Sequence, residues 1–324
     1  MKEIANLLGY RDSIKVVDAT LRDGGLVNDF YFTDDFVKKL YETNIKAGVD
    51  FMEFGYRASK AVFDESKYGK WKFCSDEHIR EIVGENNTGL KIAIMADIGR
   101  HNKDDFDQKA NSPVDLVRVA AYIHQMPEAI DMIEDAAKKG YMTSCNIMAI
   151  SNSSIDDVKV ALDMVAQTPV DCIYIVDSFG SLYPEQVARI ADLYLNAAAK
   201  TGKKVGIHAH DNQRLAFANT IEALSIGASY LDATVSGMGR GAGNCYMELL
   251  LSFLRNPRYN KVAIMNFVEK HMLKLKEEGA VWGYDIPYLL TGTLNSHPSS
   301  AIQFIKENRT DYAMFYQELI DNTL

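Results

Sequence analysis

Residues 170–209 read VDCIYIVDSFGSLYPEQVARIADLYLNAAAKTGKKVGIHA and contain a complete strand, helix and second strand. The runs 170–176 and 203–209 are short, apolar and β-branched, as buried strands are. Between them, residues 184–200 space their apolar side chains at a helical period. Pro184 stands early in that segment, where its missing N–H costs nothing. Such a unit predicts two parallel strands joined by a right-handed crossover.

The same alternation extends in both directions. Strand-like runs recur at 14–20, 49–55, 90–96, 114–120, 142–150 and 228–235, which with the first two makes eight. Helical patterns lie between several of them, at 34–47, 127–139, 155–167 and 212–226, and Thr33-Asp34 supplies a start signal for the first. Eight βα units predict an α/β fold of the (β/α)8 TIM-barrel type, with an open doubly wound sheet as the second choice. The barrel ends near residue 255, at the Asn256-Pro257 break. Beyond it, residues 260–278 read as a helix, residues 280–298 are rich in Gly, Pro and aromatics, and the last segment is helical again. The expected organisation is a catalytic barrel over 1–257 and a helical C-terminal extension over 258–324.

Composition narrows the function classes. With 47% hydrophobic and 24% charged residues, the chain has an ordinary globular balance. A net charge of −9 with scattered Lys and Arg argues against nucleic acid, which would want a basic stripe. Cys74, Cys145, Cys172 and Cys245 share no CxxC spacing, so disulfides are not expected. No apolar h-region follows Met1 and no uninterrupted apolar stretch could cross a bilayer, so the expected location is the cytoplasm, with no membrane partner.

In a barrel of this kind the chemistry sits at the carboxyl ends of the strands. The first strand runs into Arg22-Asp23-Gly24-Gly25. A carboxylate there can ligate a hard cation, and a neighbouring guanidinium can hold a carboxylate or steady an enolate oxygen. A surface ion pair at a turn is the competing reading. The seventh strand ends Gly206-Ile207-His208-Ala209-His210. Residues two apart on a strand face the same side, so the two imidazoles point together, as a metal clamp requires. The alternative is one core histidine and one exposed. The eighth strand leaves into Gly237-Met238-Gly239-Arg240-Gly241-Ala242-Gly243-Asn244, whose glycines allow close backbone approach to an anion or carbonyl. A flexible loop with tight turns would look the same.

Taken together and in this order, Thr20-Leu21-Arg22-Asp23-Gly24, Gly206 to His210 and Gly237 to Asn244 resemble the DRE-TIM metallolyases. That group includes 4-hydroxy-2-oxovalerate aldolase, hydroxymethylglutaryl-CoA lyase and the isopropylmalate synthase barrel. The resemblance spans most of residues 14–255 and is closest to the hydroxy-oxo-acid aldolase branch. It implies that Asp23, His208 and His210, with Asn244 nearby, ligate a divalent metal ion, and that Arg22 steadies the enolate. Mn or Mg is the expected cation, with Zn or Co as alternates. It implies a carbon–carbon lyase acting on a small 2-oxo or hydroxy acid through a metal-stabilised enolate. It also brings an aldehyde dehydrogenase as a partner, and a homodimer is the expected assembly. The alternatives are a Claisen-type enzyme condensing an acyl-CoA with a 2-oxo acid, and a non-catalytic metal-binding scaffold.

Two departures bear on the chemistry. Leu26 stands where the aldolases of the family carry their base histidine, and Leu294 falls near the place of a tyrosine from their C-terminal region. Asp177 and His297 are the candidate catalytic replacements, with Tyr56 and Tyr288 behind them. Asp177 has a structural alternative as the cap of the following helix. Glu53, Arg57, Gly239 and Arg240 are expected to line the substrate pocket, unless Glu53 and Arg57 merely pair with each other.

Overall fold

The computed structural model describes residues 11–322. The N-terminal segment read as lacking a leader's apolar core falls mostly on residues 1–10, outside the described residues. Eight parallel strands close into a barrel in chain order. They are β1 (Lys15–Asp18), β2 (Phe51–Tyr56), β3 (Lys91–Asp97), β4 (Leu116–Ala121), β5 (Met142–Ile147), β6 (Cys172–Asp177), β7 (Lys204–Ala209) and β8 (Tyr230–Ala233). Each falls inside or within a residue or two of its predicted run. Because β1 pairs with both β2 and β8, the open-sheet alternative is excluded.

The barrel helices are α1 (Thr20–Gly24), α2 (Asp34–Ala47), α3 (Asp76–Val83), α4 (Met126–Lys138), α5 (Ile155–Ala166), α6 (Pro184–Ala199), α7 (Ala216–Ile226) and α8 (Met247–Leu254). Thr33 caps α2 by accepting from the Phe36 N–H at 3.2 Å, a bond of a kind worth about 1 kcal/mol. Three of these helices were not predicted. The short α1 is a single turn leaving β1. The α8 sequence MELLLSFL is apolar nearly all round and shows little period. For α3 the signal was present, since Ser75 accepts from the His78 N–H at its start.

Alternate side chains on every strand point into the barrel. One interior layer is apolar, with Val17, Phe51, Ala93 and Leu116 in contact. The layer above it is not. Glu53, Arg118, Tyr174 and Asp232 come from β2, β4, β6 and β8, one from every second strand, as barrel layers are built. None is more than 2% exposed. Gly206 on β7 makes room for this layer, because a Cβ there would lie 2.6 Å from the Tyr174 ring.

The extension comprises α9 (Lys261–Phe267), a π-helical turn (Val268–Met272), α10 (Leu273–Glu277), α11 (Ile286–Thr293), α12 (Ser299–Lys306) and α13 (Tyr312–Asp321). Helix α11 lies in the stretch read only as rich in Gly, Pro and aromatics. Its start is set by Asp285, which accepts from the Ile286 N–H, and by Pro287 in the first turn. Ala301, Phe304, Phe315 and Leu319 form a small core of their own. Arg258 ties the extension to the barrel through Asp50 at 2.6 Å, and the Trp282 indole N–H donates to the Ser236 carbonyl at 3.0 Å. All four cysteines are buried free thiols. Among the described residues no helix is long and apolar enough to cross a membrane.

Candidate active site

A cleft opens at the carboxyl ends of the strands. Arg22, Asp23, Leu26, Tyr56, His208, His210, Arg240 and His297 contribute to its wall. Helix α1 delivers Arg22 and Asp23 to one side, and β7 with the residue after it delivers His208 and His210 to the other. One ligand-type atom from each of Asp23, His208 and His210 lies within 4.8 Å of the others. All three residues are buried.

Hydrogen bonds fix this cluster from behind. The His208 Nδ1 faces Asp232 Oδ2 at 3.0 Å, and Asp232 is held anionic because burial, which opposes charge, is outweighed by Arg118, donating at 2.6 Å, together with the His208 contact. A carboxylate can only accept, so Nδ1 carries the ring proton and Nε2 presents its lone pair to the cleft. Arg22 donates from Nε to Glu53 at 2.9 Å and from Nη1 to Asp23 at 2.8 Å. Burial resists charge on Asp23, but Arg22, with the Asn244 amide, holds its carboxyl far below the usual range. For His210 burial dominates and pushes the imidazole down to about 3, against the pull of Asp23, so this ring is neutral and free to ligate.

Asn244 donates from its amide to Asp23 and to the Met238 carbonyl, while its Oδ1 is buried without a partner. Gly239 must be glycine for this arrangement. A Cβ there would run into the Asn244 amide and the Asp23 carboxylate. Arg240 reaches into the cleft, donating to the Ser178 carbonyl at 2.8 Å. It has no carboxylate partner among the described residues, and its Nε is buried and unpaired. The extension brings His297 to the same cleft. Its Nδ1 accepts from the Ser299 N–H at 3.1 Å, and its Nε2 faces the Arg240 guanidinium at 3.4 Å. Burial, then Arg240 and Arg100, lowers its pKa.

Several expected site residues go elsewhere. Glu53 is not a pocket residue; it lies in the interior layer beneath, bound by Arg22 and by Arg118 at 2.8 Å. Arg57 does not pair with it. A register shift in β2 between Glu53 and Tyr56 brings Tyr56 level with Met95 on the cleft wall and carries Arg57 away. Arg57 pairs with Asp76 at 2.5 Å and lines a separate depression. Asp177 neither lines the cleft nor caps α6, whose N-cap is Tyr183; its two oxygens accept from the Ser181 and Leu182 N–H groups of the preceding loop at 3.0 and 3.2 Å. Its burial pushes the carboxyl up to about 6. Tyr288 packs on Gly241, outside the cleft lining, and Leu294 joins the small core of the extension. The residues that the sequence reading passed over are Arg118, Asp232 and Asn146. For Arg118 and Asp232 the signal was parity, since each is a polar residue at an inward position of an otherwise apolar strand; β5, with Thr143 and Ser144 beside Asn146, gave no such contrast.

A closed parallel barrel whose carboxyl edge gathers a carboxylate and two imidazoles defines a barrel enzyme of the metallolyase type. The family model described as HMGL-like matches residues 13–270, and the chain belongs to that family. It is a carbon–carbon lyase of the DRE-TIM group. It is 29% identical over 247 residues to an oxaloacetate decarboxylase of Mycobacterium tuberculosis, covering 76% of this chain and 71% of the relative. It is 26% identical over 267 residues to a 4-hydroxy-2-oxovalerate aldolase of Bacillus cereus, covering 82% and 75%. Among solved structures, the N-terminal domain of a proposed aldolase from Bacteroides vulgatus superposes with a TM-score of 0.73 at 27% identity, covering 90% of this chain and 96% of that one.

Proposed function

We propose that this chain breaks a C–C bond of a small 2-oxo acid with the help of a divalent cation, in the manner of the 4-hydroxy-2-oxo acid aldolases. The observation that carries the reading is the donor set itself. Asp23, His208 and His210 would hold the cation, and the unpartnered Oδ1 of Asn244 is a further oxygen donor beside them. Two imidazoles and a carboxylate suit Mn, Fe, Co or Zn, and with water also Mg. When bound, the cation supplies Lewis acidity to the oxo group.

The chain's own residues account for the rest. Arg22 is fixed by two carboxylates and aims Nη2 toward the cluster, 3.5 Å from His208 Nε2, so it can donate to an oxygen that gains charge as the bond breaks. Arg240, lacking a carboxylate of its own, fits a substrate carboxylate. His297 stands beside Arg240 on the cleft wall, with Nε2 facing the guanidinium. Apolar Leu26, Met95, Met148, Val176 and Phe179 keep water from the reacting centre.

Leu26 favours a second reading, β-decarboxylation. Aldol cleavage requires a base to take the proton of the 4-hydroxyl, and Leu26, 37% exposed on the cleft wall, cannot serve. Loss of CO2 from a 3-carboxylated 2-oxo acid needs no such base, and one relative is named an oxaloacetate decarboxylase. An aldehyde dehydrogenase partner belongs only to the aldolase reading, because decarboxylation releases no aldehyde. The test strips the full chain of metal, reloads it with Mn or Mg, and measures pyruvate from a panel of 4-hydroxy-2-oxo acids and from oxaloacetate. Metal binding without turnover on either class would leave the scaffold alternative in place.

A further inference from the structure

Lys72 is 7% exposed, and its ammonium makes no hydrogen bond or ion pair among the described residues. The other buried basic side chains, Arg22, Arg57 and Arg118, each have a carboxylate within salt-bridge distance. Around Lys72 there are aromatic faces instead. Its Nζ lies 4.2 Å from the ring centre of Phe63, 4.6 Å from Tyr56, 5.1 Å from Phe30 and 5.6 Å from Tyr68. Rings attract a cation but do not neutralise it. A buried charge without a counter-ion is costly and calls for a reason.

Of the four rings only Tyr56 also lines the cleft, beside Arg22 and Leu26. The Arg22 guanidinium carbon lies 6.0 Å from the centre of the same ring. The tyrosine is therefore flanked by two cations, and its hydroxyl makes no hydrogen bond among the described residues. The β2 register shift that removed Arg57 is what turned this side chain inward.

We propose that Tyr56 is the catalytic acid that protonates C3 after C–C cleavage, and that Lys72 is a positioning residue whose charge balances the phenolate this leaves. The proposal rests on the lyase reading above and holds for both aldol cleavage and decarboxylation. When the C–C bond breaks, its electron pair stays on the 2-oxo acid fragment as the enolate. The Tyr56 O–H proton then passes to C3, forming the methyl group of pyruvate. The phenolate recovers a proton from water, and no oxidant or reductant enters.

Electrostatics fit this role. Burial pushes the Tyr56 phenol up and Arg22 pulls it down, while Asp23, Asp97 and Glu53 add to the upward push. The phenol thus enters the reaction protonated. Burial lowers the Lys72 ammonium to about 8, with Asp97 holding it up and Arg100 pressing it down, so it is still cationic at neutral pH.

The experiment follows exchange of pyruvate methyl protons for deuterium by NMR, using the full chain loaded with Mg2+ in D2O, alongside pyruvate release from oxaloacetate. Y56F should slow exchange and release by about 100-fold or more, the usual reach of a positioned acid, with KM changed only a few-fold. K72M, whose thioether suits an aromatic cage, should slow both roughly tenfold, and K72R should recover most of the loss. In wild type the exchange rate should fall as pH rises past about 8, where the Lys72 ammonium loses its proton, and K72M should lack that fall. Exchange by Y56F at the wild-type rate overturns the assignment of Tyr56. An exchange profile in K72M that falls past pH 8 as in wild type overturns that of Lys72. Wild-type protein that binds Mg2+ but neither exchanges nor releases pyruvate defeats the lyase reading instead, a distinct outcome.

Discussion

Replacing Arg118 by Met tests the polar layer on which the site stands. Arg118 is fully buried and bridges two carboxylates, Glu53 at 2.8 Å and Asp232 at 2.6 Å, with its guanidinium carbon 4.5 Å from the centre of the Tyr174 ring. Met fills similar volume, so cavity formation is a minor cost. What remains is two buried carboxylates with their shared cation gone, a loss of about 3–5 kcal/mol when one partner of a buried pair is removed. At about 2.1 cal/mol/K per residue over the 324 residues, the unfolding entropy is about 0.7 kcal/mol/K. The expected fall in Tm is therefore about 4–7 °C, measured by calorimetry on metal-free protein. The loss is pH-dependent. Asp232 has a folded pKa below its unfolded value, so its stabilisation is present above about pH 4 and fades as pH falls through the folded pKa. The gap between wild type and R118M should accordingly be full at pH 7 and narrow below pH 4. Glu53 keeps Arg22 at 2.9 Å, so the carboxylate left without an arginine is Asp232, and adding D232N should return part of the lost stability. A Tm change under about 1 °C at pH 7, or a gap that widens in acid, would refute the reasoning that Arg118 neutralises this layer.

Three further outcomes are expected. His208→Ala and His210→Ala should each abolish Mn2+ binding by calorimetry while leaving the far-ultraviolet circular dichroism unchanged, because barrel-top ligands contribute little to the core; loss of fold would assign both residues to structure. Gly239→Ala should drive Asp23 and Asn244 apart and weaken Mn2+ binding by about tenfold or more, and unchanged affinity would show that their juxtaposition is unimportant. Leu26→His places an imidazole on the cleft wall and should raise the ratio of 4-hydroxy-2-oxo acid cleavage to oxaloacetate decarboxylation; an unchanged ratio in a folded variant would dissociate that position from the choice of reaction.

The fold was readable from Val170 to Ala209 outward because parallel strands buried on both faces leave continuous apolar runs, and helices between them keep their own period. His208 and His210 were readable for a related reason. A two-residue period puts both on one face, and the end of a barrel strand says which face matters. The same rule misplaced Glu53 and Arg57, since depth along a strand decides between pocket and interior, and the irregularity in β2 reverses parity between them. No residue type in Phe51-Met52-Glu53-Phe54-Gly55-Tyr56 announces that shift beyond the glycine. Asp177 was ambiguous in principle, because a carboxylate at a strand end looks the same whether it meets substrate or the N–H groups of the next turn.

The interior layer raises a different question, one of partners rather than positions. Arg118 stands alone among apolar neighbours in Leu116-Val117-Arg118-Val119, and a charge there must be paired. Which carboxylates pair with it depends on closure of the ring. Glu53 and Asp232 are 65 and 114 residues away in sequence, and they meet Arg118 only because β2, β4 and β8 contribute to one layer. That pairing then orders the site above it. Glu53 fixes Arg22, Arg22 fixes Asp23, and Asp232 sets which nitrogen of His208 faces the cleft. The donor cluster is therefore oriented by charges that no local segment contains together, and its geometry should loosen when any member of that chain is neutralised, even with all three candidate ligands intact.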